Sequence, residues 1–377
     1  MSVLDLGDSR YHRQELITWW DQDALRKSRV LLVGAGALGN EVAKNLALVG
    51  VGELHVVDMD NIEHSNLARC VFFRESDEGS PKADALSRAI RELNSEVKTE
   101  SYVMPVQRLG IGHLRSFDLV IGALDNREAR AWVSQACRKL GKIWIDGAIE
   151  GLRGVARIFG SEGPCYTCTL GESDFKQMSH RKSCALLAPE EILSGKTPTN
   201  ATTAAVIAAV QAQEAVKILV GSGDLVSLLG KGWMFTGDSM DSYITNYRED
   251  TMCLDHDFYE TIEGPFKIKT IAELANELSI NLDDVDAIDF EEDMISLKPC
   301  ENCGGEALTK VRSAFGLGEG VCQACGEELV GATTMSIHPR DDLVSKPIEL
   351  FQLAKSDVIT FRTASTRIHA VVERESS

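Results

Sequence analysis

The strongest constraint on the fold lies near the start of the chain. Val30-Leu31-Leu32-Val33 is a short apolar run that breaks into Gly34-Ala35-Gly36-Ala37-Leu38-Gly39 and continues as a helical pattern to about Val49. A run too short for a helix, closed by glycine and followed by a period near 3.6, reads as strand, turn and helix. Glu53 to Val57 reads as a second strand, ending at Asp58. Strand, turn, helix and strand in that order form a βαβ unit with parallel strands. The spacing Gly34-x-Gly36-x-x-Gly39 lets backbone N–H groups at a helix N-terminus approach a phosphate, and Asp58 stands where a carboxylate can bond ribose hydroxyls. A nucleotide site is expected here. Taken alone, the motif suits a nicotinamide dinucleotide as well as ATP.

The alternation continues downstream. Ser80-Pro81 reads as an N-cap and first helical position of a helix to about Leu93. Strands are expected at Val97–Val103, Leu119–Ile121 and Ile143–Ile145, with a helix near Asn126–Leu140 between the last two. The pattern predicts an α/β fold with a doubly wound, Rossmann-like, mostly parallel sheet. At 377 residues the chain exceeds one typical domain, and its texture changes near residue 260. Residues 1–260 are therefore expected as the nucleotide domain and 261–377 as a C-terminal α+β domain. Within the first, 169–200 form a polar, irregular crossover before a long Ala-rich helix, Ala201 to Val220. That helix carries Gln211, Gln213, Glu214 and Lys217, so no membrane span is expected. In the second domain Lys269–Leu278 reads as helix, Asp283–Asp293 as a solvated acidic face, and Phe351–Val372 as a mixture of both periods.

Charge separates the candidate nucleotides. The formal net charge is −18, which repels phosphate backbones and argues against a nucleic-acid partner. Any cations needed for a triphosphate must then be gathered locally. Beyond Asp58 the loop holds Asp60, Asn66 and Arg69; Lys82 opens the next helix; Asp125-Asn126 follows the strand at Leu119, on the same carboxyl edge. Singly these are ordinary surface charges. Together, fixed cations beside a carboxylate suit ATP with Mg²⁺, because the charge on leaving pyrophosphate must be neutralised.

The chain has ten cysteines, and Met1 to Gln14 contains no apolar core of a signal peptide. Three Cys-x-x-Cys pairs in such a chain point to metal in a reducing, cytoplasmic setting. Cys300-x-x-Cys303 and Cys322-x-x-Cys325 are separated by 18 residues and each is followed by glycine, the spacing of a zinc ribbon over 300–325. Cys165-x-x-Cys168 is half of another tetrahedral site, and sharing one zinc with Cys300 and Cys303 is one way to complete it. Cys184 follows His180-Arg181-Lys182-Ser183, whose cations favour a thiolate and make it a candidate nucleophile. Cys70, beside Arg69, competes for that role, and Cys137 reads as core.

From Arg10 to about Gly221 the sequence resembles the superfamily of ubiquitin-activating enzymes and their bacterial relatives, the ThiF- and MoeB-type adenylyltransferases of sulfur carriers. The resemblance rests on Arg10-Tyr11-x-Arg13-Gln14, the glycine loop, Asp58-x-Asp60, Ser65-Asn66-Leu67-x-Arg69, Pro81-Lys82, Asp125-Asn126, Pro164-Cys165-x-x-Cys168 and Gln213-Glu214-Ala215-x-Lys217, in family order. It departs at Cys70, where the family commonly has Gln. The resemblance implies that Asp58 binds ribose, that Asn66, Arg69 and Lys82 bind phosphates, and that Asp125 holds Mg²⁺. It implies that Arg13 reaches the neighbouring subunit's phosphates, hence a homodimer. It also implies that the first zinc is completed beyond the long helix, where this chain has Cys253 and His256, so that two zinc sites are expected. The implied reaction is ATP-dependent adenylation of the C-terminal Gly carboxylate of a ubiquitin-like protein, then a thioester on Cys184 and transfer to a conjugating enzyme. The alternative is a sulfur-carrier adenylyltransferase of molybdopterin or thiamine type with no obligatory thioester. A nicotinamide oxidoreductase and a non-catalytic subunit of an activating heterodimer are the weaker readings.

Overall fold

In the computed structural model of the chain, residues 9–174, 198–223, 225–304, 308–311, 321–322, 324–327, 329 and 331–373 are described. They divide into two compact units: Met1–Val106 with Arg115–Phe258, and Gln107–Leu114 with Tyr259–Ser377.

The first unit opens with α1 (His12–Glu15), α2 (Gln22–Lys27), β1 (Arg29–Val33), α3 (Ala37–Val49), β2 (Glu53–Val57), α4 (Lys82–Leu93) and β3 (Ser101–Tyr102). After α5 (Val106–Leu109) and α6 (Ile111–Leu114), it resumes with β4 (Leu119–Gly122), α7 (Arg127–Lys139), β5 (Ile143–Glu150), β6 (Arg153–Phe159), α8 (Ala201–Val220), β7 (Lys231–Thr236) and β8 (Asp241–Asn246). Among the described residues these strands form an eight-stranded sheet in the order β3-β2-β1-β4-β5-β6-β7-β8. Pairing is parallel from β3 to β5 and antiparallel from β5 to β8. The sheet is therefore mixed, and the mostly parallel expectation describes only its first five strands. The reversal has a local cause: Glu150 pairs Arg153 across the two-residue turn Gly151-Leu152, too short for a parallel crossover, and Gly151 takes φ +58°.

β1 lies between β2 and β4: the chain runs from β1 to β2 and β3 on one side and then crosses back to β4 on the other. The carboxyl ends of β1 and β4 flank the crevice where open α/β sheets bind ligands. The core beside it joins Val30 and Leu32 of β1 to Val42 and Leu46 of α3 and to Ile207 and Ala208 of α8, all fully buried. By length and composition α8 is apolar enough to cross a membrane, yet half of it is buried in this unit against α3, β5 and β6. Its Gln211 has no exposure and donates from Nε2 to the Gly122 carbonyl at 2.9 Å.

The strand expected over Val97–Val103 is mostly absent. Asn94 closes α4 and spends its amide on the Tyr11 hydroxyl (2.8 Å) and the Ala47 carbonyl (2.7 Å), and Val97 turns back onto Asn94. Only Ser101–Tyr102 then reaches the ladder, preceded by a single bridge between Glu53 and Lys98. The helix expected from Pro81 begins at Lys82, with Pro81 as its cap residue.

In the second unit β9 (Ile262–Phe266), α9 (Ile271–Glu277), β10 (Ala287–Leu297), β11 (Leu308–Val311), β12 (Gly331–Ile337), β13 (Ser356–Arg362) and β14 (Arg367–Glu373) follow in order. Its sheet runs β11-β10-β13-β14-β9, with β12 on the free side of β10. The acidic stretch at 283–293 is solvated at its start, where Asp283, Asp284 and Asp286 are exposed, and from Ala287 onward it lies in a central strand. Ile288, Phe290 and Met294 are buried, while Asp289 is taken up by Arg362 (Nε, 3.0 Å) and the Ser336 hydroxyl (2.6 Å). Apolar alternation decided the structure there, and local partners absorbed the charge. The ambiguous segment from Phe351 resolves largely into the antiparallel pair β13–β14.

Candidate functional site

The turn from β1 to α3 is built on three glycines with two different jobs. Gly34 has φ +102°, and a side chain there would lie 2.4 Å from the Ala123 carbonyl oxygen; at Gly39 it would lie 2.0 Å from the Gly34 carbonyl oxygen. These two are demanded by the turn itself. Gly36, the cap residue of α3, has nothing within 4 Å of the added carbon, so its small size leaves a space that packing does not require. The open N-terminus of α3 faces that space, the arrangement that receives phosphate. Asp58 closes the loop from the next strand, accepting from Ala35 N–H at 2.7 Å and Asp60 N–H at 2.8 Å. Burial raises its pKa, against those two bonds and the nearby Lys82 charge.

Lys82 is aimed into the same corner. Its Nζ donates to Asp60 Oδ2 at 2.8 Å, and its side chain is 13% exposed. Burial works against the ammonium, but the Asp60 bond and the charges of Asp58, Asp60 and Asp125 prevail and hold its pKa above the usual lysine value. A cation and three carboxylates, Asp58 and Asp60 from the loop after β2 and Asp125 from the turn after β4, thus share one field. Asp125 is exposed at the carboxyl end of β4, and Asn126 caps α7 by accepting from Ala129 N–H at 2.7 Å.

The remaining sequence candidates sit less directly. Asn66 is buried, with Oδ1 accepting from Glu63 N–H at 2.9 Å. Arg69 donates to the Ser65 carbonyl at 2.7 Å. Arg13 is exposed on α1 and makes no ion pair among the described residues. Cys70 is 3% exposed, and burial pushes its thiol up to about 11 despite Arg69 and Lys82; a protonated, shielded thiol is a poor nucleophile, which corrects its candidacy. Cys137 is buried in α7. Cys184 and most of the 169–200 crossover lie outside the described residues.

One group escaped the sequence reading. Asp146, fully buried on β5, accepts from Arg130 Nε at 3.1 Å and Arg157 Nε at 2.9 Å. Arg130 also donates to the carbonyls of Leu124 and Gly147, tying the turn that carries Asp125 to β5. The available signal was an acid closing the apolar strand Ile143-Trp144-Ile145; a buried charge persists only when paired and hydrogen-bonded.

The cysteines fall into two separate groups, each with its four donor atoms within 4.8 Å of one another. The first brings together Cys165, Cys168, Cys253 and His256: Cys165 Sγ is 3.6 Å from both Cys168 Sγ and Cys253 Sγ, and His256 Nε2 is 3.2 Å from Cys168 Sγ. The second brings together Cys300, Cys303, Cys322 and Cys325, with Sγ separations of 3.5 Å (Cys300 to Cys325) and 3.4 Å (Cys303 to Cys322). Gly304 and Gly326 take positive φ and return their N–H groups to the Cys300 and Cys322 carbonyls, both at 2.8 Å. Sharing of one site between Cys165, Cys168, Cys300 and Cys303 is not the arrangement adopted. Soft sulfur and imidazole donors in fours fit a tetrahedral zinc ion.

Comparison with known proteins sets this geometry in context. The model of the ThiF family matches residues 10–253. A sulfur carrier protein adenylyltransferase of Thermus thermophilus is 36% identical over 57% of this chain and 78% of its own length. A SAMP-activating enzyme E1 of Haloferax volcanii is 35% identical over 58% of this chain and 76% of its own. Among solved structures, E. coli MccB with ATP superposes with a TM-score of 0.56 at 23% identity, over 67% of this chain and 75% of that one, a likeness of fold.

Proposed function

The chain belongs to the ThiF family, and from that premise we propose that it uses ATP to adenylate the C-terminal glycine carboxylate of a small sulfur-carrier or ubiquitin-like protein. It is an enzyme of the adenylyltransferase class, and the carrier-protein substrate is taken from the relatives named for sulfur carriers and SAMP. One observation carries the reading: Lys82 is held among Asp58, Asp60 and Asp125 beside the open space at Gly36.

The nucleotide lies outside the carboxyl ends of β1 and β4, as in a doubly wound, Rossmann-like sheet. Asp58 takes the ribose, and the N–H groups of the glycine loop take phosphate oxygens. A carboxylate oxygen of the partner's terminal glycine attacks the α-phosphorus. The bond to the bridging oxygen breaks, and pyrophosphate leaves with the electron pair. Lys82, Arg69 and Asn66 face the phosphates, and Arg13 reaches them from a second subunit of a homodimer. Asp125 is the residue to hold Mg²⁺, a hard ion suited to its carboxylate, which when bound offsets charge on the leaving group. Catalysis is then mainly positioning and charge neutralisation.

Both cysteine groups are assigned structural zinc. The acyl-adenylate passes directly to its acceptor, so a thioester on Cys184 and hand-over to a conjugating enzyme are not required. A thiol-labile adduct lost in Cys184→Ala would restore that step.

ATP–pyrophosphate exchange with a panel of small proteins ending in glycine tests the reading. Exchange should depend on the partner and vanish when its terminal glycine is removed. No exchange with any such partner, or reduction of NAD instead, would overturn it.

A further inference from the structure

The fourth donor of the first cysteine group is a ring, and a ring must be aimed. The geometry points to Glu249 as a positioning residue that orients His256, so that Nε2 serves the metal and Nδ1 carries the proton. Nε2 lies 3.2 Å from Cys168 Sγ, while Nδ1 lies 3.4 Å from Glu249 Oε1 on the opposite side of the ring. A histidine offers a lone pair to a metal from one nitrogen when the other holds the hydrogen, and a carboxylate at that second nitrogen settles both tautomer and ring angle.

Glu249 is itself held. Arg138 Nη2 stands 3.7 Å from Glu249 Oε1, and Arg138 Nη1 donates to the Gly163 carbonyl at 2.8 Å, just before the first knuckle. Arg138 is 93% buried, so its guanidinium is a fixed anchor. Neighbours on α7 secure both knuckles: Ser134 Oγ accepts from Tyr166 N–H at 3.1 Å, and Gln135 Nε2 donates to Asp255 at 3.2 Å. Asp255, between Cys253 and His256, also accepts from the Thr167 hydroxyl between Cys165 and Cys168. The two halves of the site are therefore joined by protein bonds, and the orientation of His256 is left to Glu249. The inference rests on the four-donor reading of this group and is independent of the adenylation chemistry.

Cadmium NMR on the full chain provides the test. Two resonances are expected, one from three sulfurs and a nitrogen, the other from the four sulfurs of the ribbon, which acts as an internal control. Glu249→Ala should shift the first resonance alone and speed metal release from that site to a chelator by about 10–100-fold. Glu249→Gln, which keeps an acceptor oxygen and so guards against simple misfolding, should fall between. Release at the native rate from both variants would overturn the positioning role. Absence of a three-sulfur, one-nitrogen resonance in the native chain would overturn the ligand set beneath it.

Discussion

Lys82 and Asp60 are joined twice, by Nζ to Oδ2 at 2.8 Å and by the Lys82 N–H to the Asp60 carbonyl at 2.9 Å. The start of α4 is thereby locked to the loop after β2, and the ammonium is aimed before any nucleotide arrives. If that preorganised charge stabilises the departing pyrophosphate, Lys82→Ala should lower partner-dependent ATP–pyrophosphate exchange by about 10²-fold or more. Asp60→Ala should cost less, since it removes only the aim.

The glycine loop separates folding from binding. Gly39→Ala forces a carbon to within 2.0 Å of the Gly34 carbonyl and should destabilise the unit by about 1–3 kcal/mol, seen as a lower melting midpoint. Gly36→Ala meets no atom within 4 Å and should melt like the native protein, yet bind ATP more weakly by calorimetry.

Asp125→Asn keeps the turn but removes its charge. Exchange should fall, and the Mg²⁺ concentration needed for half-maximal rate should rise. An unchanged Mg²⁺ dependence would remove Asp125 from that role.

Asp357 gives the second unit a pH signature. Burial, with the charges of Glu292 and Glu291, pushes its carboxyl up to about 7, against hydrogen bonds from Val358 and Ala354 N–H. The folded state then binds this proton more tightly than the unfolded chain. Stability from this group is greatest at low pH and declines as pH rises from about 4 to about 7. The melting midpoint of the second unit should show that decline, and Asp357→Asn should flatten it.

Metal content tests the two cysteine groups together. The native chain should carry about two zinc ions by mass spectrometry, and a Cys303→Ser/Cys325→Ser double variant about one, with earlier melting of the second unit.

Much of this was legible locally. The βαβ unit, the glycine loop and Asp58 follow from periods and spacings inside about thirty residues, because backbone geometry there depends on near neighbours. The second cysteine group was legible for the same reason: Cys303 and Cys325 are each followed by a turn glycine, Gly304 and Gly326. Within 283–293, high charge density describes the exposed start, Asp283 to Asp286, while the alternation of Ile288 and Phe290 marks the strand that follows.

The sequence by itself determined that a strand, a phosphate-sized turn and a helix must succeed one another at Val30–Val49, and that the cysteines come in metal-ready pairs. Only the tertiary structure decided between the two ways of completing the first cysteine site, closing Cys165 and Cys168 on Cys253 and His256 across 84 intervening residues, and brought Arg130 and Arg157 together on Asp146. Spacing restricts which residues can meet within one turn or hairpin. Which distant segments meet depends on how helices and strands bury their apolar faces together, and no short stretch of chain contains that information.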